Sequence, residues 1–180
     1  LEIEQTIRGN TVEGSLLWVM QRCKTAMGKR LLRDWLCNPL ADREAIEQRQ
    51  AVVKTLIEDD EMLRKTQTAL DRIQDIARIA GRISMGRVTP RDIVALGLSI
   101  HICKVLADGI DSPSTEHIKN EIDDLALTLL PLAELIQTQC IDTPPAHMRV
   151  GGLFRDGTDA QLDEARVLQR DAGSWLAKYQ

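Results

Sequence analysis

The stretch from Pro90 to Gly109 limits the folds open to this chain more than any other. Thr89-Pro90 is a start signal: a hydroxyl that can accept from the first free amides, then a proline where a helix has no use for an N–H. The helix it opens is apolar nearly all the way round, through Ile93, Val94, Leu96, Leu98, Ile100, Ile102, Val105 and Leu106. Lys104 is its one charge between the first turn and the closing Asp108-Gly109. A helix apolar on every side, yet too short to cross a bilayer, must be surrounded by other elements, so the spacing predicts a buried central helix.

Composition says what surrounds it. Aromatic residues make up 3% of the 180 residues, as three Trp, one Tyr and one Phe, so the core has to be Leu, Ile, Val and Ala packed between helices. A β-sandwich normally enlists more Tyr, Phe and Val. With 43% apolar and 28% charged residues the chain can build one domain with a real core. The expected fold is therefore all-α, a multi-helix bundle.

The remaining helices follow from caps and periodicity. Ser15 caps a helix through Leu16, Leu17 and Met20, and Thr25 caps another bearing Met27, Leu31, Leu32, Trp35 and Leu36, which Asn38-Pro39 ends. Asp42 opens a helix with Ile46, Val52, Val53, Leu56 and Ile57. A further run carries Met62, Leu63, Leu70, Ile73, Ile76 and Ile79 until residues 81–86 loosen it. Ser112-Pro113 repeats the start signal ahead of an a/d seam of Ile118, Ile122, Leu125, Leu129, Leu132 and Ile136. Pro131 lies inside that seam and removes a donor, which predicts a break or kink near Leu130, and two short helices sharing one stripe would satisfy both signals. Residues 141–157, with Pro144-Pro145, Gly151-Gly152 and Asp156-Gly157, read as non-helical, with at most one short β-hairpin near residues 146–156. Thr158 with Gln161 matches a capping box. From there Leu162, Ala165, Leu168, Ala172, Trp175 and Tyr179 line one face of a helix that reaches the end of the chain without a stop signal or a following partner. The chain begins at Leu1 rather than Met, and both ends read as those of an excised piece.

No residue in this pattern supports a catalytic, cofactor-binding or metal assignment. Cys23, Cys37, Cys103 and Cys140 are scattered, without the clustering that a zinc site or a disulfide framework needs, and read as reduced thiols in the cytoplasm. His101, His117 and His147 lie far apart, and His101 reads as a hydrogen-bonded core histidine. Asp123-Asp124 and Glu58 to Glu61 read as solvated helix faces. Gly28-Lys29 is no phosphate loop, since Arg30 follows it and no earlier glycine has the required spacing. Arg22, Lys24, Lys29, Arg30 and Arg33 form the one concentrated basic face. It reads as solvated and making i,i+4 pairs such as one with Asp34, with contact to DNA phosphate or another domain as the functional alternative. At a net charge of −4 an autonomous duplex binder is disfavoured, so no residue is assigned to DNA binding. No apolar run is long enough to span a membrane, and no signal peptide is evident.

The run Thr25-Ala-Met-Gly-Lys-Arg-Leu-Leu-Arg-Asp-Trp-Leu36, with Pro39-Leu40, Asp42, Ile46 and Arg49, resembles the start of the core domain of the MutS family, where the pattern is T-x-M-G-x-R-x-L-x-x-W-L-x-x-P-L-x-D. The resemblance extends upstream to Leu1-Glu-Ile3 and onward through Asp75-Ile-Ala-Arg78, Arg82, Pro90-Arg-Asp92 and Ile141-Asp-Thr-Pro-Pro145. It then covers Asp156-Gly157, Gln161-Leu-Asp-Glu164 and Arg166, so that it spans the whole chain in order. Ala77 departs from it, since the family usually has Glu before the position of Arg78, which puts one polar contact in doubt.

The resemblance implies a division of labour. Family members read mismatches with an N-terminal domain, grip duplex DNA with a clamp, and hydrolyse ATP with Mg in a C-terminal ABC-type domain that dimerises. The core and its lever helices connect these parts. On that reading residues 1–157 are the core and lever bundle, and residues 158–180 start the long lever helix towards the clamp. The segment itself would be non-catalytic and serve DNA mismatch repair and the response to DNA damage. It would work in a cytoplasmic homodimer that meets mismatched duplex through other domains and recruits partners such as MutL. An autonomous helical interaction or oligomerisation domain would explain the seams equally, and a family relative acting in recombination would share the core.

Overall fold

The structure, a computed structural model, describes residues 2–177, with side chains described through residue 172. Among the described residues eight α-helices follow in order: α1 (Leu16–Met20), α2 (Ala26–Cys37), α3 (Arg43–Glu58), α4 (Asp60–Arg72), α5 (Ile76–Ser84), α6 (Pro90–Gly109), α7 (Glu116–Gln139) and α8 (Ala160–Ala177). A 3-10 turn at Met148–Val150 interrupts the connection between α7 and α8. The fold is all-α.

Most helix starts lie where cap chemistry puts them. Ser15, Thr25 and Asp42 accept from Trp18, Gly28 and Ala45 amides, at 3.2, 2.9 and 3.2 Å. At Thr89 the capping box closes in both directions: the Asp92 amide donates to Thr89 Oγ1 at 3.2 Å, and the Thr89 amide donates to Asp92 Oδ2 at 3.0 Å.

α6 packs along α7 in the most extensive helix contact of the molecule, with α4 and α5 on its other sides and α3 against α4. The α6–α7 interface is made of small residues. Ala107 and Ala133 are fully buried, and a Cβ placed on Gly97 would stand 3.0 Å from Ile136 Cγ2 and 3.5 Å from the Ala133 carbonyl. Below it Ile136, Cys140 and Leu153 form a buried cluster, with Ile93 and Val94 packed on top.

Several expectations need correction. α6 is not covered on every side: Leu98 and Val105 are 40% and 65% exposed. The buried stripe of α7 is Ala126, Ala133, Ile136 and Cys140, while Leu125 and Leu132 of the expected seam stand 61% and 43% exposed. Small residues win the interface because they let two helix backbones approach, which a row of leucines prevents. α7 also runs unbroken through Pro131. The proline lies on the exposed side, and the Leu127 carbonyl that loses its amide belongs to a residue 80% exposed, so water can replace the missing donor.

Other boundaries shift for local reasons. α7 starts at Glu116 rather than at Ser112-Pro113, because Thr115 closes a turn instead. Its buried hydroxyl donates to the Ile110 and Ser112 carbonyls at 2.9 and 3.0 Å, fastening α7 to the end of α6. The single run expected over residues 62–79 is two helices, parted where Asp75 caps α5 and the Gln74 amide turns to donate to buried Ser99 Oγ of α6 at 3.0 Å. The hairpin is reduced to one antiparallel bridge, Cys140 with Phe154, flanked by Ile141 N–H to Leu153 O at 2.9 Å and Arg155 N–H to Gln139 O at 2.7 Å. α8 is capped by Asp159, which accepts from the Leu162 amide at 2.9 Å, whereas Thr158 donates its hydroxyl to the Gln139 carbonyl. Along α8, Ala165, Leu168 and Ala172 are exposed. The Trp175 side chain and Tyr179, which were expected to continue that stripe, lie outside the described residues.

Candidate functional site

Among the side chains that link distant segments, three polar staples and one ring contact stand at positions of the family resemblance. At the first staple Arg30 of α2 grips Asp75 with both guanidinium ends, at 2.7 and 2.8 Å, while the Arg78 amide donates to the same carboxylate at 3.2 Å. Asp75 is the N-cap of α5, so one carboxylate starts that helix and ties it to α2. Its side chain is 16% exposed, and the Arg30 hydrogen bonds, opposed by burial, hold its pKa at about 2, below the ordinary 3.8.

The second staple joins α5 to α6. Arg82 donates to both oxygens of Asp92 at 2.9 and 2.5 Å, and Asp92 is at the same time the capping-box acid of α6. Its carboxyl is held below the ordinary range, first by the Arg82 hydrogen bonds and then by the Thr89 donors, against the cost of burial.

The third staple fixes the base of α8. Arg166 donates to the Phe154 carbonyl and to Asp156 at 2.8 Å each, and to Asp163 at 3.1 Å. The α7–α8 connection is thereby clamped to the first turns of α8, next to the Cys140–Phe154 bridge. The ring contact is Arg49 of α3, whose guanidinium carbon lies 3.6 Å from the Trp35 ring centre of α2.

These are positions that carried the family resemblance: Arg30, Trp35, Arg49, Asp75, Arg78, Arg82, Asp92, Asp156 and Arg166. The structure gives most of them joining roles between helices or between a helix and its connection, while Arg78 contacts only Asp75, the cap of its own helix. It also corrects the reading of the basic patch on and just before α2. Its cations do not pair along that helix. Lys24 pairs with Asp71 at 3.3 Å, Arg30 with Asp75, and Arg33 with Glu4, while Asp34 accepts from Asn38 instead. Arg22 and Lys29 keep no carboxylate partner among the described residues. Sequence spacing cannot show pairs between residues this far apart in the chain.

His101 is corrected as well. It is half-buried, but its Nδ1 has no hydrogen-bond partner among the described residues. Asp123 is not simply solvated, since Lys104 of α6 reaches it at 3.1 Å. The four cysteines are free, and burial pushes the Cys103 and Cys140 thiols up. Among the described residues no group of three or more His, Cys, Asp or Glu side chains could hold a metal ion.

Gly28-Lys29 does not fit a nucleotide phosphate. The Gly28 amide is taken by Thr25 Oγ1 at 2.9 Å and the Lys29 amide by the Thr25 carbonyl at 3.1 Å, so neither is free to cradle an anion. No helix among the described residues is long and apolar enough to cross a membrane.

Helices packed through small residues and joined by guanidinium–carboxylate staples at their ends define an all-helical domain. The chain belongs to the MutS family: residues 1–176 match MutS domain III. It is 36% identical over 99% of its length to the DNA mismatch repair protein MutS of Brevibacillus brevis, and 38% identical over 98% to that of Synechococcus sp. (strain RCC307). The MutS of Halothermothrix orenii is 36% identical over 100% of the chain. In each case the chain spans 20% of the length of the relative.

Proposed function

We propose that this segment is the mechanical connection of a mismatch-recognition ATPase, passing conformational change between DNA binding and ATP hydrolysis performed elsewhere in the protein. The observation that supports it most is the join between α6, α7 and α8. α6 and α7 meet closely through Gly97, Ala133 and Ile136, where a Cβ on Gly97 would press on Ile136, and Arg166 clamps the start of α8 to the connection that follows α7. Elements packed this tightly move as units, so a displacement at one end reaches the other instead of dissipating in side-chain rearrangement.

On this reading ATP and Mg bind in the remainder of the protein, and the Gly28 and Lys29 amides here, already taken by Thr25, leave no phosphate loop. Mismatched duplex is met through other domains. A homodimer, a partner such as MutL and a cytoplasmic location belong to the whole protein. The resemblance of the staple residues to the family's core supports the assignment over an autonomous oligomerisation domain.

The test is binding by the isolated 180-residue chain. It should bind no nucleotide, and its binding to duplex should be weak, lost as salt rises, and equal for matched and mismatched DNA. Tight mismatch-selective binding, or any ATP turnover, by these residues alone would overturn the proposal.

A further inference from the structure

Among the described side chains, α8 meets the rest of the bundle only at its base. Leu162, Asp163 and Arg166 are the partly covered residues of 160–172, and all three lie in its first two turns. No helix lies along α8 as α7 lies along α6. The direction in which α8 leaves the bundle is therefore set by whatever holds those first turns.

The connection before α8 supplies the hold. From Ile141 to Ala172 one described side chain is buried, that of Leu153, at 6% exposure. Residues 146–152 ahead of it are exposed, and Gly151 and Gly152, at φ 74° and 77°, turn the chain so that the leucine enters the bundle. There it joins Ile136 and Cys140 at the end of α7, with Ile93 and Val94 from the start of α6 packed on the same cluster. The residue after it is Phe154, whose carbonyl accepts from Arg166 of α8 at 2.8 Å. The residue before Ile93 is Asp92, which holds Arg82 of α5. Leu153 thus stands between the guanidinium that grips α8 and the start of α6, which is stapled to α5.

We infer that Leu153 is the positioning residue that sets the angle of α8 against α6 and α7. Arg166 cannot do so alone: its partners are Phe154, Arg155, Asp156 and Asp163, all on the connection or on α8 itself. The backbone bonds flanking the Cys140–Phe154 bridge tie the connection to α7 but not to α6. Arg91 of α6 reaches the connection at the Pro144 carbonyl, but at 3.4 Å and ahead of the exposed stretch. That leaves the leucine, and a side chain seated among Ile93, Val94, Ile136 and Cys140 cannot shift without displacing them, because packed interiors leave little slack. Geometry alone gives Leu153 this place; its consequence for ATP-driven movement rests on the coupling role proposed above.

The experiment uses the full-length protein carrying this segment, with L153A, L153M and L17A. Leu17 of α1 is 8% exposed and stands outside the cluster, so L17A removes an equally buried leucine elsewhere. Spin labels carried by unnatural amino acids at Gln169 of α8 and Glu121 of α7, both exposed, report a distance distribution. It should widen at least about 1.5-fold in L153A and keep its native width in L17A and in L153M, where Met fills nearly the volume of Leu. The ATP-driven fall in affinity for a mismatched duplex should shrink at least about fivefold in L153A and return in L153M. Nucleotide-free duplex affinity and DNA-free ATP hydrolysis should stay within about twofold of native. A native width in L153A, or the same widening in L17A, would overturn the assignment of Leu153. A widened distribution with undiminished ATP-driven release would uphold that assignment and overturn the coupling role instead.

Discussion

Gly97 and Asp75 carry more of this structure than their size suggests. At Gly97 two effects oppose each other. Alanine gains about 1 kcal/mol of helix propensity, but its methyl would press on Ile136 at 3.0 Å, and Ile136 is itself buried. G97A should therefore be close to neutral. G97V, which adds two more carbons and a branched Cβ, should cost about 2 kcal/mol in urea unfolding. A stabilised G97V would mean that α6 and α7 can part freely.

Asp75 offers a test by pH. Its folded pKa, about 2, lies below the unfolded value near 3.8, so its contribution is present in full above the unfolded value and is lost as pH falls through the folded one. D75N keeps a side chain that can cap α5 but removes the charge facing Arg30. At pH 7 it should be less stable than the native chain by on the order of 1 kcal/mol, Arg30 being half-exposed and its pairing screened. The two chains should converge between pH 4 and pH 2, a window set by those two pKa values. A gap that stayed constant over that range would show that the charge pairing contributes nothing.

At the scale of helices the sequence was legible wherever a cap and a hydrophobic face agreed. Ser15, Thr25, Asp42 and Thr89 all open helices as their side chains require. It misled where apolar residues outnumber buried places. α7 has leucines on several faces, and periodicity chose Leu125 and Leu132, while the interface chose Ala126 and Ala133. The staples were legible only as family positions, because an Arg30–Asp75 pair 45 residues apart leaves no local pattern.

Pro131 follows the same logic. A helix interrupted on its wet side persists but keeps the penalty, so P131A should stabilise the chain by at least about 1 kcal/mol, read from the shift of the urea midpoint. The α7 amides should then exchange more slowly. A destabilised P131A would indicate that the proline shapes the helix for α6.

For the molecule as a whole, α6 and α7 form the most closely packed pair, and staples tie further helices in place: Asp75 joins α5 to α2, Asp92 joins α5 to α6, and Arg166 holds the base of α8. A frame with one closely packed pair and stapled neighbours can pass a change in angle along its length while each helix keeps its internal packing. Arg166 is the attachment nearest to the helix proposed to lead towards the DNA clamp, so the coupling account depends on it most.

The most direct measurement is ATP-driven release of a mismatched duplex by the full-length protein, native and R166A, alongside duplex affinity without nucleotide and ATP hydrolysis without DNA. The account predicts that R166A leaves the latter two within about twofold while the change in duplex affinity brought by ATP falls towards none. Undiminished ATP-driven release in R166A, with its three hydrogen-bonded staple contacts gone, would contradict the claim that this segment carries the connection.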